Sequence, residues 1–351
     1  MLIGHFNPMV IGDYRPMVTF VRQSSDYYKY VVIQVLPMIV AAALNWWYCR
    51  RYVRLHAVRN VHLSEHLKPL LIFFVNAVAI QVYVNIDTTM LGWMKGDYYV
   101  GIYSVSVKIY TVIKGVLLSI YSVTIPRLSN YFGDGDRASY KQLMTKISSA
   151  MMLLLLPAAF GIICMAKELV YFIGGSTYSD GVLCLQILGI ALVFAIFGGL
   201  STSVLNVTTC REKENLTATV IGAVLNAALN LFFIPLFYQN GAAFTTLLAE
   251  CVVFLYCFVR FPNKSQFIDL KTVGKNLIHG LIGSGTIILL SSLIRLIPMN
   301  PLVRLFAVVL ASVLVYAAEL FLLKNQIFLD AAGKMLRKVR RNRPETNQSS
   351  E

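Results

Sequence analysis

Charge is what this sequence has least of: 14% of its 351 residues are Asp, Glu, Lys or Arg, against roughly 25% in soluble domains. With 57% hydrophobic residues and a mean hydropathy of +0.65, that shortage excludes an ordinary soluble fold. Acidic residues are the scarcer sign, 17 against 31 basic, for a net charge of +14. On a soluble chain this excess would suggest nucleic acid. On an apolar chain it indicates basic loops at a membrane surface, and no nucleic-acid partner is expected. The six cysteines (Cys49, Cys164, Cys184, Cys210, Cys251 and Cys257) form no closely spaced set suited to zinc or to a disulfide framework. No phosphate-binding Gly-rich loop, nucleophile elbow or kinase signature occurs, so an ATPase motor on this chain is excluded and no catalytic residue or cofactor is expected. His62 to His66 spell an H-x-x-E-H string. It lies in a basic connection with no third ligand nearby, so we expect no metal site.

What the sequence has is long apolar runs. About 20 such residues cross the hydrocarbon core of a bilayer, and nine segments qualify: Tyr30 to Tyr48, Leu67 to Leu91, Val100 to Ile125, Ile147 to Met165, Val182 to Leu205, Thr217 to Tyr238, Ala242 to Phe261, Lys275 to Ile297 and Leu302 to Leu323. The fold class is therefore all-α, a polytopic membrane protein. Basic residues mark cytoplasmic loops, and they concentrate in alternate connections: Arg50 to Lys68, Arg127 to Lys146, Arg211 and Lys213, Lys264 to Lys275, and the tail from Lys334 to Arg343. The intervening connections are short or nearly uncharged, among them Ala166 to Gly181, and face outward. The carboxyl terminus is then cytoplasmic and the amino terminus outside. That placement is awkward for Met1 to Lys29, which lack the pattern of a cleavable signal, and truncation of earlier helices is the expectation.

Polar residues inside spans are costly, about 2.5–3.5 kcal/mol for a central charge, and mark cavities or partner helices. In the third span Ser104, Lys108, Thr111, Gly115, Ser119 and Ser122 fall on one stripe at the helical period, with Lys114 at its flank. This reads as a wet, cationic wall suited to an anionic head group; snorkelling, or pairing with acids on neighbouring helices, is the plainer account of the lysines. The second span places Asn76, Tyr83 and Asp87 on one face and Gln81 and Asn85 on another. Asp87 could pair with Lys108, carry a proton or bind a cation. Glu250 lies near the middle of its span, with Asn226 and Asn230 four residues apart on the helix before it, and a buried hydrogen-bonded cluster of the three is one reading. Glu319 and Lys324 read as an interfacial pair. Pro37, Pro157, Gly161, Gly198, Gly199, Gly280, Gly283 and Gly285 punctuate the spans and permit close packing or bending.

From Leu67 onward the sequence resembles, in ordered pieces, the Wzx-type repeat-unit flippases of the multidrug/oligosaccharidyl-lipid/polysaccharide exporter superfamily. The pieces are His66-Leu67-Lys68-Pro69, Asn85-Ile86-Asp87-Thr88-Thr89-Met90-Leu91-Gly92, Val100-Gly101-Ile102-Tyr103, Pro126-Arg127-Leu128-Ser129, Asn226 and Asn230 before Ile234-Pro235, and Gly241-Ala242-Ala243-Phe244-Thr245-Thr246 with Glu250. Arg22 to Tyr30 and the helix after it look like the family's last amino-lobe connection and helix. The resemblance implies two six-helix lobes around a central cavity. On that plan residues 1–66 are a remnant of the amino-terminal lobe with one spanning helix and a basic linker, 67–262 the carboxyl lobe, 263–324 two added helices and 325–351 a basic cytoplasmic tail. Most of the first lobe is lacking.

It further implies a transporter rather than an enzyme. Such a protein moves an undecaprenyl-diphosphate-linked sugar repeat unit, for O-antigen, capsule or exopolysaccharide, across a bacterial cytoplasmic membrane. Lys108 and Lys114 would then contact the diphosphate. Asn76, Asn85, Asn226 and Asn230 would contact the sugars, Asp87 and Glu250 would serve ion coupling, and Arg127 would gate the cavity or simply anchor its helix. Expected partners are the lipid-linked oligosaccharide, membrane lipid, a polysaccharide polymerase and a separate amino-lobe chain. A multidrug exporter of the same superfamily, a membrane-embedded polysaccharide polymerase and an inactive truncated flippase are the alternatives. The first favours acidic cavities, against two lysines in one span here. The second wants a large outward loop, which this sequence lacks.

Overall fold

The computed structural model describes residues 27–50, 67, 84–261 and 263–341. Asn76, His62 to His66 and most of the second span lie outside them. Contacts divide the chain into two compact units, residues 1–86 with 173–177, and residues 87–172 with 178–351. In the first unit the main described element is α1 (Tyr27–Cys49), an apolar helix with Pro37 inside it and with Trp46 and Trp47 exposed.

The second unit is all helix. It opens with Asp87, on a helix described over residues 84–95 (α2) whose first three residues are counted with the first unit. Then follow α3 (Asp97–Gly133), α4 (Arg137–Cys164), α5 (Ala166–Gly174), α6 (Gly181–Gly199), α7 (Glu212–Arg260), α8 (Lys264–Phe267), α9 (Leu270–Arg295), α10 (Pro301–Leu322) and α11 (Gln326–Arg341). A π-helical turn, Leu200–Asn206, extends α6. Six helices among the described residues are long and apolar enough to cross a membrane, and the chain is a polytopic membrane protein. The longest is two spans in one: at Tyr238 the backbone departs from helix (φ 55°, ψ −131°) and the arms fold back on each other. Phe233 packs against Phe244 with ring centroids 5.2 Å apart, and Glu214 accepts a hydrogen bond from Tyr256 at 3.1 Å. Tyr99 stacks on Tyr238 at 4.7 Å and Lys95 lies 4.3 Å over the same ring, holding the reversal. The connection Ala166 to Gly181, read from sequence as a loop, is largely helical.

Helix starts follow elementary capping chemistry. Asp136 accepts from the Ser139 amide at 3.0 Å, and Asp269 accepts from the Thr272 hydroxyl and the Lys271 amide. The hydroxyls of Ser139 and Thr272, with the amides beside them, hold both carboxyls below their ordinary range.

α4 carries much of the packing, touching α3, α6 and α9. Lipid tails are as apolar as leucine, so helices associate by close fit rather than by leaving water. A Cβ on Gly280 of α9 would sit 2.6 Å from the Met152 carbonyl of α4, and one on Gly283 would collide with the Tyr316 ring of α10. Tyr316 in turn donates to the Leu153 carbonyl at 2.9 Å. At the other end, Glu168, 2% exposed, pairs at 3.5 Å with both Arg295 and Arg304, and Arg295 donates to the Cys164 carbonyl. Gly280→Val is expected to lower stability by about 1–3 kcal/mol through overpacking, read as an earlier thermal midpoint in detergent. Gly285→Val, with nothing near its Cβ position, is expected to leave that midpoint unmoved.

Candidate functional site

Two polar clusters lie where α2, α3 and α7 meet. In the first, Asp87 is buried and accepts three hydrogen bonds: Tyr103 Oη to Oδ2 at 3.0 Å, Thr246 Oγ1 to Oδ2 at 2.7 Å and Asn230 Nδ2 to Oδ1 at 2.6 Å. Asn230 also donates to Asn226 Oδ1 at 3.2 Å and accepts from Thr245. The helical offset of four puts Asn226 and Asn230 on one face of the first arm of α7. The reversal at Tyr238 then brings Thr245 and Thr246 of the second arm beside them. Thr246 Oγ1 lies 2.9 Å from the Ala242 carbonyl as well as 2.7 Å from Asp87. It has one hydrogen for the two acceptors, so Asp87 and the Ala242 carbonyl compete for it.

In the second cluster, Lys114 Nζ lies 2.7 Å from Glu250 Oε1, with side-chain exposures of 26% and 16%. It also lies 5.3 Å over the Tyr110 ring. Tyr103, Tyr110 and Lys114 follow one line down α3, and Thr246 and Glu250 are one turn apart on α7, so the two clusters form a continuous polar seam.

The α3 stripe is the other feature. Ser104, Lys108, Thr111, Gly115, Ser119 and Ser122 are all exposed, and Lys108 has no ion-pair partner among the described residues. The stripe thus faces away from its own unit while the seam faces inward.

Several expectations change on this geometry. Asp87 pairs with hydroxyls and an amide, not with Lys108. Asn226 and Asn230 cluster with Asp87 rather than with Glu250, and Glu250 takes Lys114, the plainer account of that lysine. Both asparagine side chains are buried, 3% and 0% exposed. Glu319 accepts from Thr286 at 3.2 Å and forms no pair with Lys324 among the described residues. Arg127 is exposed at the far end of α3, its Nε donating to Tyr131 at 3.1 Å. Asn85 belongs to the first unit; Asn76 lies outside the described residues. Tyr103, Thr245 and Thr246 were not singled out as site residues from sequence. All three do sit in strings that carry the resemblance, the threonines in Gly241 to Thr246 and Tyr103 in Val100 to Tyr103.

Separately, a cavity of about 320 Å³ lies between α4, the π-helical turn, the second arm of α7 and α9, lined by Phe197, Leu205, Phe254, Phe258 and Leu277 among others. Its walls suit hydrocarbon rather than sugar. Among the described residues no group of three or more His, Cys, Asp or Glu could hold a metal ion.

Residues 17–132 match the family described as "Polysaccharide biosynthesis protein". The chain is 25% identical over 249 residues to the "Probable low-salt glycan biosynthesis flippase Agl15" of Haloferax volcanii, covering 69% of this chain and 51% of that protein. Its fold is similar to that of "Lipid II flippase MurJ, inward closed conformation", with a TM-score of 0.60 at 16% identity, covering 76% of this chain and 56% of the other. The chain spans about half the length of each. Together they bear out the resemblance to polysaccharide and lipid-linked glycan flippases of the multidrug/oligosaccharidyl-lipid/polysaccharide exporter superfamily.

Proposed function

We propose that the chain forms one lobe, with an added helix pair, of a flippase for lipid-diphosphate-linked oligosaccharide repeat units. The observation that carries the reading is the α3 stripe. A spanning helix that exposes Lys108 among hydroxyls and glycine, in a chain otherwise this apolar, has to face a hydrated cavity or a second lobe rather than lipid. An ammonium with no ion-pair partner among the described residues suits a diphosphate, and the hydroxyls beside it suit sugars. Residues 67–262 would be the lobe and 263–324 the added pair, with Asn76 and Asn85 as further sugar contacts and Arg127 meeting head groups at a helix end. The seam behind the stripe would couple transport to an ion or proton. Asp87 would bind it, Asn226 and Asn230 would support that carboxylate rather than touch sugar, and the Lys114–Glu250 pair would hold α3 to α7. A bacterial cytoplasmic membrane, a cytoplasmic carboxyl terminus, a polymerase and a separate amino-lobe chain as partners, and O-antigen, capsule or exopolysaccharide as the product, complete the reading.

The test is the amount of lipid-diphosphate-linked repeat unit retained in the inner leaflet of a strain deleted for this gene. The deletion is expected to accumulate it, the chain to clear it, and Lys108→Glu at equal abundance to leave it in place. No accumulation on deletion would overturn the flippase reading. Accumulation that Lys108→Glu clears as well as the unaltered chain does would overturn the role given to the stripe.

A further inference from the structure

Beyond α10 the chain turns within residues 323–325, where Lys324 takes a left-handed backbone (φ 49°), and continues as α11. The turn is built around one side chain. Asn325, 4% exposed, accepts from the amides of Ile327 and Phe328 at 3.1 and 3.2 Å, capping α11. Its Nδ2 donates to Asn276 Oδ1 at 2.8 Å and meets His279 Nδ1 at 2.9 Å, both on α9. Asn276 donates on to the Thr272 carbonyl at 2.8 Å. The direction in which α11 leaves is therefore set inside the lobe, directly at the membrane end of the spanning helix α10.

At 100° per residue, α11 separates an apolar line from a basic one, with Ile327 the apolar residue left on the basic side. Phe328, Ala332, Met335 and Val339 fall on one line, flanked by Leu336 and Ala331. Gln326, Asp330, Lys334, Arg337 and Arg341 fall on the opposite line, flanked by Lys338 and Arg340. Asp330 is the helix's one acid against five basic residues. α11 touches α4 and α10, yet Phe328 and Ala332 are only half-buried and Leu329 stays exposed. The helix is too polar to span a bilayer, and the described part of its apolar line, Phe328 and Ala332, is incompletely covered by its own lobe.

We propose that α11 is a lipid-sensing surface: it lies in the plane of the bilayer interface, its apolar line among the acyl chains and its basic face on anionic phospholipid head groups. An interfacial helix combines this segregation with low overall hydrophobicity, and clustered Lys and Arg just beyond a spanning helix draw it to anionic lipid. The Asn325 joint makes the contact one with the lobe rather than a loose tail.

The test uses the full chain, its native cysteines replaced, in vesicles of phosphatidylcholine with or without phosphatidylglycerol. Nitroxide labels are placed singly at Ala332→Cys and Arg337→Cys. With phosphatidylglycerol the label at 332 is expected to collide with oxygen and be shielded from a water-soluble nickel chelate, and the label at 337 to show the reverse. Without it, or with Lys334→Glu and Lys338→Glu, the label at 332 is expected to become accessible to nickel. Shielding of position 332 from both reagents would assign the face to a protein partner. Nickel access in anionic vesicles would mean a free helix, and equal behaviour in both lipids would mean no recognition of charge; each of the three overturns the proposal.

Discussion

Replacing Lys114 by Ala is expected to deplete the folded chain, because it leaves Glu250 as a lone carboxylate among helices. Breaking one side of a buried pair costs about 3–5 kcal/mol, whereas replacing both partners by apolar groups of similar volume is often neutral. Lys114 and Glu250 retain some exposure, so the lower end applies, and about 3 kcal/mol is roughly a hundredfold in the folding equilibrium. Lys114→Met with Glu250→Leu is therefore expected to restore abundance that Lys114→Ala or Lys114→Met alone loses. Abundance is read by fluorescence-detected gel filtration of a tagged chain. An abundant single variant, or a double variant no better than the single, would remove the pair from the fold's support. If the double variant is abundant yet inactive in export, the charges themselves serve transport.

Asp87→Asn is expected to separate abundance from coupling. Asparagine keeps the shape and one acceptor, so Tyr103 and Thr246 retain a partner while its amide opposes that of Asn230, and the level of chain is expected to fall less than in Asp87→Ala. Asp87→Ala instead strands Tyr103, Thr246 and Asn230 in a dry site at about 1–3 kcal/mol for each unsatisfied donor, and is expected to lower the level sharply. For transport the prediction is larger. Without a titratable or cation-binding oxygen pair, dependence on a sodium or proton gradient in vesicles is expected to vanish and the gradient-driven rate to fall at least about tenfold, within the usual range of coupling energies. Unchanged gradient dependence in Asp87→Asn would remove the coupling role from this carboxylate. Thr246→Val provides the companion measurement, since it deletes the hydroxyl that Asp87 and the Ala242 carbonyl compete for.

Features confined to one helix were legible in the sequence. The stripe from Ser104 to Ser122 needs only the 3.6-residue period, and the structure exposes all six of its residues. Spans announce themselves by length and apolar composition, and even the fused helix α7 was read as two crossings with a break near Tyr238. What could not be read depends on contacts far apart in the chain. Lys114 and Glu250 are 136 residues apart, and so are found only once α3 and α7 pack. Glu168 with Arg295 and Arg304 joins a short amphipathic helix to an added pair that periodicity treats as separate. The same distance hid the choice between sugar contact and carboxylate support for Asn226 and Asn230, because both offer the same amide. Asn325, the joint beneath α11, looks in sequence like any polar residue after a span.

The reversal in α7 bears on how the chain is made. Between the two arms the backbone leaves helical geometry at Tyr238, and a Cβ on Gly241 would run into the Phe233 carbonyl. The turn is thus too tight for any polar loop. Almost nothing hydrophilic has to be dragged through the hydrocarbon when this segment enters the bilayer. The backbone amides of both arms are already satisfied within the helix. Both arms can therefore enter the bilayer as one hairpin, which by itself brings Asn230 to Thr245.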